Sequence, residues 1–303
     1  MAEEGEFKFR PMSRVRLMRC LPMALNLLLF KVVTRLQRIL FRDRQRKLFF
    51  DLKMHLDPSE YVQKFIAFFG IWEPNISGLL VRLCRPGCIA VDIGAHVGYD
   101  TLLMASRVGT SGHIYAFEAN PITFQKLKRN LALNGLSNVS PKNAAIMDTI
   151  GRFQLYSSGT SNIGTDSLLY GAGMTVTANV EGGPLSHYID DEQRRQIAVI
   201  KIDVEGAEEQ VILAMLSDAT ILEAKPHFIV EIGHPLAFEK SPAMKALSQN
   251  GYRAFTLKNE YGVKAYVDWD RVCTPTPCHR FPDEQTDFLF SAQNDSVSKT
   301  HEH

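Results

Sequence analysis

Three charged residues alternate at one place in this chain: Lys201, Asp203 and Glu205, within the string IKIDVEGAEEQVI. Alternation puts all three on one side of an extended strand, and Gly206 lets the chain turn away after them. Charge on one face of a buried strand is costly unless it is paired or used. A second string, FIVEIGHP, ends in the same way with Glu231 and His234. Asp203, Glu231 and His234 are the candidate proton acceptors, and His234 has the ordinary pKa closest to neutral. Lys201 can hold a carboxylate or steady a developing alkoxide. The competing reading is an ion-pair network of Lys201 with Asp203, Glu205 or Glu231 that serves packing alone. Hard carboxylates also suit Mg²⁺, but no further ligand set is visible and no metal is expected.

A different chemistry is written into VDIGAHVGYDT, Val91–Thr101. Gly94 and Gly98 allow a tight turn and close approach of backbone to a ligand, with a helix N-terminus behind them. A nicotinamide fingerprint would place glycines at 94, 96 and 99, where this chain has Gly94, His96 and Tyr99. Asp92, two residues before the first glycine, would repel a pyrophosphate. It suits a ligand carrying an ammonium group, such as S-adenosylmethionine. Glu118, at the end of HIYAFE, is placed to accept hydrogen bonds from two ribose hydroxyls.

These residues need a frame that brings strand ends together. CIAVDI (Cys88–Ile93), HIYAFE (His113–Glu118), a segment near Val139–Ile146, IAVIKID (Ile197–Asp203) and Phe228–Ile232 read as strands. Thr101–Arg107, Pro121–Asn134, Glu205–Ser217 and Pro242–Asn250 read as the helices between and after them, and Tyr252–Leu257 and Asp287–Ser291 as strands that close the sheet. Residues 60–83 suggest one or two short helices around Gly70 and Pro74. The Gly-, Ser- and Thr-rich stretch 151–180 suggests a hairpin-like insertion or lid. Repeated strand–helix units imply an α/β fold with a mostly parallel sheet, whose ligands bind at the carboxyl ends of the strands.

The strings VDIGAHVGYDT, AFEANP, KIDVEGAE and EIGHP, with WEP at Trp72–Pro74 and DFLF at Asp287–Phe290, resemble the FkbM family of S-adenosylmethionine-dependent methyltransferases. The resemblance spans about residues 60–291, and KIDVEG is its most specific part. It implies the Rossmann-like class I methyltransferase fold, a seven-stranded sheet in the order 3-2-1-4-5-7-6 with the last strand antiparallel. It also implies O-methylation of a hydroxyl on a sugar, polyketide or other small metabolite. Residue by residue, Asp92, Gly94, Ala95 and Gly98 match the family's cofactor turn, Glu118 its ribose acid, and Asn143 and Ala145 lie near its adenine wall. The family usually has Asn where this chain has His96 and Pro where it has Ala119; an imidazole at 96 can still hydrogen-bond the cofactor. Two other classes stay open on the residues: a nicotinamide-dependent oxidoreductase, and a catalytically silent Rossmann-like protein docked on membranes.

The chain has 303 residues and a formal charge of +1, with nothing global that suggests a nucleic-acid partner. The charge is unevenly spread. Residues 14–47 hold ten Lys or Arg against the single acid Asp43, so that segment is +9 and the rest −8. Within it, Cys20–Phe30 is apolar but interrupted by Pro22 and Asn26, too short for the ~20 residues of a membrane span. Beyond Lys31, Val32, Val33, Leu36, Ile39 and Leu40 recur at helical spacing with Arg35, Arg38 and Arg42 mostly opposite. A surface-lying membrane anchor and a helix docked on the domain or on a second subunit fit this pattern equally. The five cysteines are odd in number and spaced unlike a zinc knuckle. The expected organisation is a basic helical extension over 1–50, a methyltransferase domain over 51–293 and a disordered tail over 294–303. No secretion signal is evident, so the expected location is cytoplasmic, with membrane association through residues 14–47 as the open alternative.

Overall fold

The structure is a computed structural model and describes residues 13–40, 44–157, 167–169, 173–258, 260–268 and 274–292. The tail expected over 294–303 and Cys273 lie outside the described residues, as do parts of the 151–180 stretch.

Two helices, α1 (Ser13–Arg19) and α2 (Met23–Leu40), lead into a small ribbon of β1 (Arg44–Lys47) and β2 (Lys53–Leu56) and a helix pair, α3 (Tyr61–Phe69) and α4 (Pro74–Leu83). The alternating region follows: β3 (Ile89–Ile93), α5 (Tyr99–Val108), β4 (His113–Phe117), α6 (Pro121–Ala132) and β5 (Val139–Lys142). Then come β6 (Ala145–Ile146), β7 (Gly151–Ser157), β8 (Thr175–Gly183) and the short α7 (Asp191–Arg194). The alternation resumes with β9 (Ile197–Ile202), α8 (Glu208–Leu216), α9 (Ala219–Ala224), β10 (His227–Ile232), α10 (Pro235–Glu239) and α11 (Pro242–Gln249). It closes with β11 (Arg253–Leu257), α12 (Val263–Val267), β12 (Thr276–Pro277) and β13 (Thr286–Ser291).

The main sheet has the order β12-β11-β13-β10-β9-β3-β4-β5. The five strands from β10 to β5 run parallel, and β13 is antiparallel to both of its neighbours. Numbered along the chain, the seven longer strands stand as 3-2-1-4-5-7-6. The eighth is the two-residue edge strand β12, too short to register as a sequence pattern. Strands such as IAVDI are buried throughout because helices cover both faces. One face packs on α3, α4, α5, α6 and α12 through Leu80, Leu103, Leu127 and Tyr266; the other packs on α8, α9 and α11 through Ile212, Met215 and Leu247.

Three expected boundaries move. The segment 139–146 is not one strand: β5 joins the main sheet, while β6 pairs with β8 in a separate three-stranded sheet with β7. β7 and β8 are antiparallel partners, as a hairpin-like insertion would be. The helix expected from Glu205 starts at Glu208, because Glu205 (φ 52°) and Gly206 (φ 106°) are left-handed and cannot open an α-helix. The first crossover helix starts two residues earlier than expected, at Tyr99 directly after Gly98.

Candidate active site

The carboxyl ends of β3, β4, β9 and β10 open into a cavity of about 340 Å³. Gly94, Ala95, His96, Glu118, Ala145, Lys201, Asp203, Glu205 and Glu231 line it, so sequence reading located most of its floor. The remaining expected residues sit outside the lining. Asp92 is buried beneath it, Gly98 caps α5, and Asn143 is exposed at the edge, its amide donating to the carbonyls of Glu118 and Ala119 at 2.8 and 2.9 Å. His234, expected as a base, is exposed at the N-cap of α10.

The turn after β3 is dictated by backbone packing. Gly94 has φ 86°, and a Cβ there would stand 1.7 Å from the carbonyl oxygen of Asp203. The two strand ends touch: the Asp203 N–H donates to the Ile93 carbonyl at 2.9 Å. No side chain fits between them. Glu118 reaches across to this turn. Its Oε2 accepts from the His96 N–H at 2.7 Å and its Oε1 from the Asn120 N–H at 2.8 Å. Two backbone amides thus fix the carboxylate on the cavity wall. Asn120 also caps α6, accepting from the N–H groups of Ile122 and Thr123, with Pro121 behind it.

Around Lys201 the charges form a single group. On the sheet face that carries Ala90, Val199 and Ile229, pairing places Asp92 beside Lys201 and Glu231 beside Asp287 on β13. Lys201, 5% exposed, reaches Asp203 at 3.0 Å and Asp100 at 3.2 Å. Burial alone would neutralise it, but the carboxylates of Asp203, Asp100, Asp92 and Glu73 hold its pKa well above the usual lysine value. Burial also opposes the charge on Asp203, yet Lys201 outweighs it and keeps that carboxyl below its ordinary range. The neighbours go the other way. Burial, with Asp203 and Glu73 close by, pushes Glu231 up to about 10. Burial and Asp203 take Glu205, at the cavity mouth, to about 7. Burial raises Asp92 to about 6, with one oxygen accepting from Thr101 Oγ1 at 2.6 Å.

Sequence reading missed the other wall. Glu73, 6% exposed, turns into the cavity from the start of α4, its pKa raised by burial and then by Asp287. Tyr261 donates to Glu73 at 2.9 Å, and Gln285 donates to Glu231. Tyr61 and Trp72 complete an aromatic rim with Tyr261, whose ring centroid lies 5.6 Å from that of Trp72. Glu73 and Trp72 lay in the string WEP, Asp100 in VDIGAHVGYDT and Asp287 in DFLF, without a role read for any of them; nothing local marks Tyr261 or Gln285. Backbone strain gathers here too. Five non-glycine residues have positive φ among the described residues, and three of them, Glu73, His96 and Glu205, line the cavity. Each such residue costs of order 1–3 kcal/mol and persists where the surroundings impose it. Among the described residues, no three of His, Cys, Asp and Glu meet in a way that could hold a metal ion.

A parallel sheet with a glycine turn after its first strand, an anchored acid after its second and charged residues after its fourth defines a Rossmann-like transferase site. The methyltransferase FkbM domain model matches residues 92–254, more than half of the chain, and the chain belongs to that family. Its cofactor is accordingly S-adenosylmethionine. The turn fits this group: Gly94, Ala95 and His96 line the cavity with backbone close at hand, and Glu118, held by the His96 and Asn120 amides, puts a carboxylate on the same wall where a ribose would lie. Methyltransferase sdnD of Sordaria araneosa is 28% identical over 189 residues, 53% of this chain and 71% of that protein. The hexuronic acid methyltransferase AglP of Haloferax volcanii is 25% identical over 160 residues, 53% of this chain and 62% of that protein. A solved S-adenosylmethionine-dependent O-methyltransferase of Thermotoga maritima aligns over 73% of this chain and 65% of its own, at 14% identity and a TM-score of 0.42.

Proposed function

We propose that the protein transfers a methyl group to a hydroxyl oxygen of a small metabolite, a sugar or polyketide being the class its cavity suits. The observation that carries this reading is the graded set of carboxyls beside Lys201. Asp203 is held ionised, Glu205 is poised near pH 7 and Glu231 is held protonated. When bound, S-adenosylmethionine supplies a methyl group on a positively charged sulfur. The chain's own share is to orient an acceptor oxygen and remove its proton. Glu205 is the base in this reading, since a proton acceptor works best when its pKa matches the working pH. Asp203, fixed by Lys201, accepts a hydrogen bond from the acceptor hydroxyl and orients it. Glu231, protonated, donates to Asp203 and keeps a second negative charge out of the site. His234, exposed on α10, has no part. The aromatic rim of Tyr61, Trp72 and Tyr261 supports a ring-shaped acceptor, and a relative named for methylating a hexuronic acid is consistent with a sugar.

The test is methyl transfer from labelled S-adenosylmethionine to a panel of sugars and polyketide alcohols, with the product linkage read by NMR. A methoxy product supports the reading, and products methylated only at nitrogen or carbon sink it. Glu205→Gln should lower turnover by about 100-fold or more and remove the rise in rate through pH 7. An unchanged pH profile would reassign the base.

A further inference from the structure

Helix α2 is turned the wrong way round for a helix whose surroundings are complete. Its inward face carries polar side chains: Asn26 is 1% and Thr34 7% exposed. Both are tied down locally, Asn26 donating to the Met18 carbonyl at 2.9 Å and Thr34 to the Phe30 carbonyl at 2.6 Å. Phe30 sits between them and anchors the helix on α3, 4.9 Å from Phe65, 5.1 Å from Phe68 and 5.5 Å from Phe69. Arg19 adds a hydrogen bond from α1 to the Val267 carbonyl at 2.8 Å. The outward face is apolar. Leu25, Leu28, Val32 and Leu36 follow at spacings of three, four and four, which stacks them in one stripe. They are 39, 56, 47 and 48% exposed, and Leu17 on α1 is 64% exposed. Lys31 and Arg35 are exposed along one edge of this stripe, and Arg16 is exposed on α1.

We propose that this stripe docks on an anionic phospholipid surface, with α2 lying in the plane of the interface. Apolar side chains would enter the headgroup–acyl boundary while Lys31 and Arg35 meet lipid phosphates and carboxylates. Charge selects this occupant. Residues 14–47 are +9 in sequence, so a two-fold dimer through the same stripe would bring two such segments together, whereas an anionic leaflet complements them. No described helix is long and apolar enough to cross a membrane, so the contact is peripheral.

The experiment is co-sedimentation of the full chain with phosphatidylcholine vesicles, with and without phosphatidylserine, at low and high salt. The wild type should partition onto phosphatidylserine vesicles, and salt should weaken it. Leu28→Glu/Val32→Glu should cut partitioning by about tenfold or more, leaving S-adenosylmethionine binding intact because both residues point away from the domain. Lys31→Glu/Arg35→Glu should remove the preference for phosphatidylserine; this variant carries the test alone should the first pair fail to fold. Absence of vesicle binding by the wild type, or binding that neither pair weakens, overturns the proposal. So does sedimentation as a dimer that Leu28→Glu/Val32→Glu dissociates, without vesicle binding, since the stripe would then be an interface between copies.

Discussion

The two walls of the cavity are built on different principles. The wall that carries the glycine turn runs from Ile93 to Asn120 and is made mostly of backbone. Gly94 admits the Asp203 carbonyl, and amide hydrogens hold Glu118. The opposite wall is made of side chains drawn from four distant segments, Glu73, Lys201–Glu205, Glu231 and Tyr261, with Asp100 reaching Lys201 from α5. The first wall depends on shape and has almost no tolerance. The second depends on a balance of charge in which one lysine keeps Asp203 ionised while burial pushes the neighbouring carboxyls up. A shape-built wall should fail outright when a methyl group is added, while a charge-built wall should respond to pH.

Gly94→Ala tests the first wall and should have the largest effect. A methyl group 1.7 Å from a backbone oxygen at φ 86° must push β3 and β9 apart at their ends. A loss above about 4 kcal/mol is expected, seen as collapse of S-adenosylmethionine binding in calorimetry and of the thermal transition. Near-normal binding would show that the strand ends are looser than the structure has them.

Lys201→Met tests the second wall. It leaves Asp203 and Asp100, both partly buried, without their cation, which costs about 3 kcal/mol. Lys201 holds Asp203 below its ordinary pKa, and stability from a depressed carboxyl is present above its unfolded value and lost as pH falls through the folded one. The penalty should therefore be large in urea melts from pH 8 down to about pH 4 and shrink only as pH falls below Asp203's ordinary value of 3.8. A penalty independent of pH would mean that packing, not charge, is what Lys201 provides.

Glu231→Gln should have the smallest effect and the opposite sign. Its carboxyl is pushed up to about 10, so the stability it contributes is whole below about pH 4.5 and drains away as pH rises toward 10. Glutamine mimics the protonated form without that drain. The melting temperature should rise by about 2 °C or more at pH 8 and stay unchanged near pH 4. A fall at pH 8 would place an ionised Glu231 in the native site.

The same division governs what could be read from sequence. The β3 turn and the end of β4 were legible because a strand, a glycine and an acid within a few residues suffice to build them. KIDVEG announced a charged strand end, though not that Glu205 would leave the strand direction in a left-handed turn. His234 shared its string with Glu231 but went to the start of α10 instead of the cavity. The N-terminal helices showed an amphipathic period; which face was packed could not be told, because the inward face carries Asn26 and Thr34 and the outward one leucines.

By itself the sequence determined the α/β alternation, the family and the glycine turn after β3, since these rest on patterns of neighbours along the chain. Only the tertiary structure decided the charge state of the site. That depends on Asp92, Lys201, Glu231 and Asp287 coming together on one face of four adjacent strands, and on Glu73 closing over them from a helix more than a hundred residues away in sequence from Lys201. Local periodicity sets each strand's faces, but the Coulomb energy of a buried group depends on distances that only the assembled sheet supplies.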